Sequence, residues 1–309
     1  MFLPKRTDMI REAAEKGGLK WYFEILVFLG VFLTAAIAGA VLQIIPDLLI
    51  SLAFGNGQRA LAHECSLIVS LFLTAVTTVM VILFCKFVQH RHPRTLGFRG
   101  THPVREYLVG LFVGAALFCG AVLLCVLTGS LTLTARSFSV GLWILYLAGF
   151  LIQGMSEEVL CRGYFMVSLA RRNHLALAVF LNSAFFSLLH IMNDGVTPLA
   201  LFNVMLFGIF ASLYVLRRGD LWGACAMHSI WNFLQGNVFG VRVSGAETRV
   251  SPFSAAQTDG HWAWHGGKFG AEGGLAVTLV LLVSIAVVLF LLKNRPEREP
   301  DGQTENVTR

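Results

Sequence analysis

At 309 residues, 56% of them hydrophobic and only 14% charged, with a mean hydropathy of +0.69, the chain is composed for a lipid solvent and not for water. The formal net charge of +6 arises from 24 Lys and Arg against 18 Asp and Glu. Those cations flank apolar runs, where anionic lipid headgroups attract them, so no nucleic-acid partner is implied. No repeat, low-complexity block or linker divides the sequence, which reads as one helical domain.

In chain order, residues 1–20 form a charged cytoplasmic segment, and the run that follows is too long and apolar for a cleaved signal peptide, so it is a retained span. Apolar runs of about 20 residues predict membrane helices at 21–45, 66–88, 107–128, 142–168, 175–194, 197–216, 221–241 and 274–292. The predicted fold is an all-α polytopic bundle of eight transmembrane helices over 21–293, its core at about 140–240, with 294–309 as a cytoplasmic tail.

Orientation follows from the bias of Lys and Arg toward cytoplasmic loops. Lys5, Arg6, Arg11, Lys16 and Lys20 precede the first span, and Lys86, Arg91, Arg94, Arg99 and Arg105 lie between the second and third. Arg171 and Arg172, Arg217 and Arg218, then Lys293, Arg295 and Arg298 fall on the same side. The opposite loops hold Arg59, Arg136, Arg242, Arg249 and Lys268. Both termini are therefore expected in the cytoplasm, and the Asn306-Val307-Thr308 sequon falls on that side. Cys85, Cys119, Cys125, Cys161 and Cys225 fall within or at the ends of spans without any CxxC pair, as packing residues do.

The fourth span ends in Ser156-Glu157-Glu158-Val159-Leu160-Cys161-Arg162. Each ionisable group at bilayer depth costs roughly 2.5 to 3.5 kcal/mol, so three together require a compensating role. Glu158 and Arg162 are four apart and share a helix face, while Glu157 points about 100° away. One carboxylate can thus be neutralised while its neighbour stays free for chemistry. The fifth span places Phe186 four residues before His190, and the seventh places His228 four before Asn232. Acid, imidazole and amide supply the base, the positioning group and the oxyanion donors that peptide hydrolysis requires. A structural charge cluster or hydrogen-bonded glue between helices remains the competing account of each motif taken singly.

Glu157-Glu158-x-x-x-Arg162, Phe186-x-x-x-His190 and His228-x-x-x-Asn232 together resemble the three motifs of the CAAX protease and bacteriocin-processing family of intramembrane endopeptidases, related to the type II CAAX prenyl protease. The resemblance covers 140–240, and Leu96-Gly97-Phe98-Arg99 and Phe269–Gly274 are also similar to bacterial members. It implies that Glu157 activates water, that His190 holds or polarises it, that Glu158 and Arg162 form a supporting ion pair, and that His228 and Asn232 stabilise the oxyanion. It implies no required cofactor on a glutamate mechanism. Glu157, His190 and His228 are the candidate ligands for a possible zinc, although no His-Glu-x-x-His is present. The implied partners are the lipid bilayer and a peptide or membrane-protein substrate, the implied location a bacterial plasma membrane.

A fourth helix ending near Leu160 would leave Glu157 roughly 22 Å from the level of His190. A long fourth helix running toward Ala170 removes the conflict, and it predicts a cavity open to the cytoplasmic side. Elsewhere, His261, Trp262, Trp264 and His265 read as an interfacial aromatic anchor, Asn182 and Asn203 as bonds between helices, and Gln153 and Asn237 as cavity-lining groups. His63, His90, His92 and His102 match no motif. The competing class is a non-enzymatic membrane protein, either a bacteriocin-immunity factor or a transporter using the acids and histidines as a proton relay, though the sequence lacks the repeat symmetry of a transporter.

Overall fold

The computed structural model describes residues 6–54, 56–100 and 102–294. Lys5, Arg295, Arg298, the sequon and all but the first residue of the expected tail lie outside the described residues. A short helix α1 (Asp8–Ala14) precedes α2 (Trp21–Phe54), α3 (Arg59–Leu73), α4 (Ala75–Phe87) and α5 (Pro103–Leu127). Strand β1 (Leu131–Ala135) leads into α6 (Val140–Ala170), then α7 (Leu175–Leu188), α8 (Pro198–Arg218) and α9 (Trp222–Phe233). Strand β2 (Phe253–Gln257), the one-turn α10 (Trp262–His265) and α11 (Leu275–Lys293) complete the order.

Six of these helical stretches are long and apolar enough to cross a membrane: α2, α3 with α4, α5, α6, α8 and α11. α7 is a shorter apolar helix, and α9 is extended by a π turn at Leu234–Val238. The eight apolar segments of the sequence are thus eight helical stretches of a multi-pass membrane protein. Boundaries differ from expectation most at three places, one of them the fifth segment, which ends at Leu188 and not at 194. α2 continues through Pro46 to Phe54, since a proline removes one backbone donor without having to end a helix whose other bonds hold. The second segment starts at Arg59 and is broken at Thr74, where α3 gives way to α4.

Contacts between distant residues fix the helix directions. Glu24 meets Arg171 and Phe28 stacks on Phe165, so α2 and α6 are antiparallel. Glu64 accepts from Tyr146 and Leu71 abuts Gly149, so α3 runs with α6. Arg171, Arg172, Arg217 and Arg218 consequently gather at one end of the bundle, termed the inner end. That end is covered by α1, whose Met9, Ile10 and Ala13 are fully buried.

The centre of the bundle is α9, packed between α5 and α6. Two glycines permit this. A Cβ on Gly110 of α5 would lie 2.1 Å from the Gly223 carbonyl oxygen, and one on Gly154 of α6 would lie 2.5 Å from Ser229 Oγ. Close backbone approach of this kind is how membrane helices gain packing energy where no hydrophobic drive exists between them. The long fourth helix is present: α6 runs 31 residues without a break in helical conformation, changing to a π-helix at Val159–Met166.

At the outer end, β1 and β2 pair antiparallel, Leu131 with Gln257 through to Ala135 with Phe253. This ribbon was not expected from an all-α pattern. Arg136 fastens it by donating to the Ser251 and Arg249 carbonyls.

Candidate active site

Glu157 and Glu158 sit in the last turn of α-helical backbone before the π-helix of α6, and π turns inside helices recur at functional sites. Their environments differ sharply. Glu158 is fully enclosed, whereas the Glu157 side chain stays 31% accessible. Glu158 Oε1 accepts from Arg162 NH1 and from His228 Nδ1, each at 2.9 Å. A carboxylate shared in this way can only accept, which assigns the ring hydrogen to Nδ1 of His228. The ion pair expected at four-residue spacing therefore forms, and His228 joins it.

Arg162 is fully buried, and its guanidinium lies 4.3 Å from the Phe186 ring centroid. The phenyl face supplies the cation with the contact that water would otherwise give. Phe186 also stands edge-on to His190 at 5.0 Å and to His228 at 6.0 Å, so one ring organises three polar groups. The four-residue spacing to His190 predicted the first of these contacts; nothing in sequence pointed to the second or to Arg162.

Glu157 Oε1 accepts from Gln153 Nε2 at 2.6 Å, and its Oε2 faces His228 Nε2 at 3.6 Å with no hydrogen-bond partner. Gln153 Oε1 in turn accepts from Asn232 Nδ2 at 3.0 Å. A continuous polar chain thus runs Asn232, Gln153, Glu157, His228, Glu158, Arg162. Gln153, expected from sequence only as a cavity-lining group, lies one turn before Glu157 and here bridges it to Asn232.

His190 lies two residues beyond the end of α7, in the turn that follows, with Nδ1 2.8 Å from the Phe186 carbonyl. The carbonyl can only accept, so Nδ1 carries the hydrogen and Nε2 is left as a free acceptor. His190, Glu157, His228, Asn232 and Gln153 line one cavity of about 440 Å³, which places five polar groups of the sequence motifs and their neighbour on a common wall. Glu158 and Arg162 lie behind that wall. Asn237 does not line it: its side chain donates to the Val250 carbonyl, holding the outer loop. Asn182 bonds Ser212 between α7 and α8, and Asn203 bonds the Glu272 and Gly274 carbonyls and Thr278, as expected of glue between helices.

The cavity lies in the outer half of the bundle, which corrects the expectation of a cytoplasmic opening. Its lining comes from the second half of α3, the first half of α6, the end of α7, the first residues of α8 and α11, the second half of α9, and the outer loops at Asn193, Asp194, 243–246, Thr248 and Glu272. The depth argument placed Glu157 correctly at mid-helix but carried no information about which half of the bundle was filled. The inner half is occupied by the π-helix of α6, every residue of which is buried.

Among the described residues, no group of three or more His, Cys, Asp or Glu is arranged to hold a metal ion.

These features define a polytopic helical membrane protein with a buried acid, imidazole and amide site. Residues 139–234 match the family model described as Rce1-like, type II CAAX prenyl endopeptidase Rce1-like, and the match spans the helices that carry all three motifs. It agrees with the family resemblance of those motifs and implies a protease. Searches of the curated proteins and of the solved structures returned no match.

Proposed function

We propose that the chain is an intramembrane endopeptidase of a bacterial plasma membrane, hydrolysing a peptide bond of a membrane-associated, CAAX-like or peptide-precursor substrate with water activated by Glu157. The observation that carries this is the contrast between two adjacent carboxylates. Each acid has one oxygen without a hydrogen bond, but Glu158 is enclosed away from the cavity with its Oε1 taken by Arg162 and His228, while Glu157 borders the cavity with its Oε1 held by Gln153. A general base needs that combination of fixed geometry and spare acceptor capacity.

In this mechanism water attacks the carbonyl carbon as Glu157 takes its proton, and the C–N bond then breaks as Glu157 returns that proton to the departing amine. His190 Nε2, free on the cavity wall, accepts from the water and orients it. Asn232 keeps a second amide hydrogen beyond the one given to Gln153, available to the developing oxyanion. Glu158 and Arg162 hold His228 in place, and no step is routed through a metal.

The test is cleavage of a peptide library by the purified, membrane-reconstituted protein beside Glu157→Gln, with and without chelator. Loss of products by about 10²-fold or more in the variant is expected of a general base. Products that persist in Glu157→Gln would overturn the assignment of the base. Products lost in chelator would replace water activation by Glu157 alone with metal-assisted hydrolysis.

A further inference from the structure

Glu272 lies outside the three motifs and takes no part in the hydrolysis proposed above, yet it lines the same cavity. It sits in a single turn between α10 and α11, and its Oε2 receives three donors: the Ser244 N–H at 2.8 Å, the Ser244 hydroxyl at 2.7 Å and Gln235 Nε2 at 3.3 Å. Its Oε1 receives none from the described residues and is left to the cavity.

That placement is held from both sides. Ser244 has a φ of +47°, in the left-handed region that residues with a side chain rarely adopt. Such a backbone persists only where its surroundings fix it, and Glu272 does so through both Ser244 donors. From the other side, Asn203 donates to the Glu272 carbonyl at 2.8 Å.

Three acids line the cavity, and their partners differ. Asp194 is paired with Arg242 at 2.9 Å and Glu157 faces His228 Nε2 at 3.6 Å, whereas no basic side chain of the described residues pairs with Glu272. A half-buried carboxylate fixed by neutral donors, with one oxygen spare, is suited to receive a cation. Asn193 adds a second acceptor on the same wall, since its amide N–H goes to the Ser244 carbonyl at 2.9 Å and leaves Oδ1 over. Val204, next to Asn203, and Val277, in the first turn of α11, offer apolar surface along which the stem of a long cationic side chain can lie.

Gln235 also sets the distance from the chemistry. It follows Asn232 by three residues and reaches Glu272 through its own side chain, which puts the acid roughly 10 Å outward of the Asn232 amide. Three extended residues span about that length.

Resting on the hydrolytic function proposed above, we infer that Glu272 is a specificity-determining residue, whose Oε1 takes the ammonium or guanidinium of a substrate lysine or arginine two or three residues from the scissile bond, on its outer side. The subsite selects one basic side chain and sets no requirement on the end of the peptide, so it suits a CAAX-like terminus and an internal site alike.

The experiment uses the full-length protein in lipid nanodiscs and two pools of apolar peptides, in which one scanned position carries lysine or its uncharged analogue norleucine. Mass spectrometry of the products locates that position relative to each cut, and binding of both pools to Glu157→Gln is measured alongside. Lysine two or three residues from the cut, on one side of it, is expected to exceed norleucine by about tenfold in kcat/KM, chiefly through KM. That ratio is read within one preparation, so partial loss of folded protein does not distort it. Glu272→Gln is expected to bring it close to one, and Asn193→Ala, in a half-exposed turn, to lower it. Equal cleavage of the two pools by wild type overturns the subsite while leaving hydrolysis intact. A lysine preference that persists in both variants overturns its assignment to Glu272. Tighter binding of the lysine pool without cleavage of either overturns hydrolysis and leaves the subsite standing, and absence of both binding and cleavage overturns the subsite.

Discussion

At the inner end, Arg91 donates to Gln89, Thr95 and Ser168 and Arg171 pairs with Glu24 at 2.7 Å, whereas at mid-depth Glu158 takes both Arg162 and His228 and leaves Glu157 on a cavity wall. Both regions bury charge, and both satisfy most of it by ion pairing. The inner set closes the bundle, and although Glu24 Oε2 and Arg171 Nε have no hydrogen-bond partner, neither residue borders the cavity. The mid-depth set is built to hold one acid that its neighbours do not use up. Buried charge in a membrane bundle therefore marks a candidate site only where a polar group also meets empty volume.

The comparison breaks most visibly at Arg162. Arg162→Ala leaves Glu158 enclosed without its cation, a change worth about 3 to 5 kcal/mol for a broken buried pair. Thermal melting in detergent should fall steeply, and wild-type-like melting would show that the pair is not needed for the fold. Glu24→Gln probes the inner counterpart. It removes the charge opposite Arg171 and should cost about 3 kcal/mol, yet cleavage per folded molecule should stay at the wild-type rate. A loss of kcat in Glu24→Gln at full folding would erase the distinction between the two regions.

The smallest effect is a pH dependence at the inner end, in the loop between α8 and α9. Burial, with Glu106 nearby, raises the Asp220 carboxyl from 3.8 to about 6, although the Trp222 and Gly223 N–H groups and Arg218 oppose the shift. Between those values the folded protein keeps a proton that the unfolded chain has lost. Stability should therefore fall as pH rises from 3.8 to about 6, by about 1 kcal/mol once solvent screening of the carboxyl is counted. Asp220→Asn, still able to cap Trp222 N–H, should flatten that slope. Identical slopes for the two proteins would show that Asp220 is not its source.

Much of this was legible in the sequence for a definite reason. Apolar length encodes membrane spans because bilayer thickness is fixed, and four-residue spacing encodes shared faces because helical pitch is fixed. Those two rules gave the eight segments, the Glu158–Arg162 pair, the Phe186–His190 contact and the long α6. What they miss depends on distance between elements. Gln153 bridges Glu157 and Asn232, and Phe186 shields Arg162, only because α6, α7 and α9 converge, and neither pitch nor hydropathy reports convergence. The β1–β2 ribbon escaped for a related reason, since its partners are more than 100 residues apart and each strand is too short to show a pattern of its own. The side on which the cavity lies escaped because it depends on which half of each helix is filled by neighbours.

The contact between Gly154 and Ser229 has a mechanical meaning as well as a packing one. It lies one turn before Glu158 on α6 and next to His228 on α9, with no side-chain carbon of Gly154 between the two backbones. Side chains can yield by changing rotamer, but backbone set against backbone has nothing softer to compress. The two helices that carry Glu157 and His228 are thus keyed together as a single stiff body.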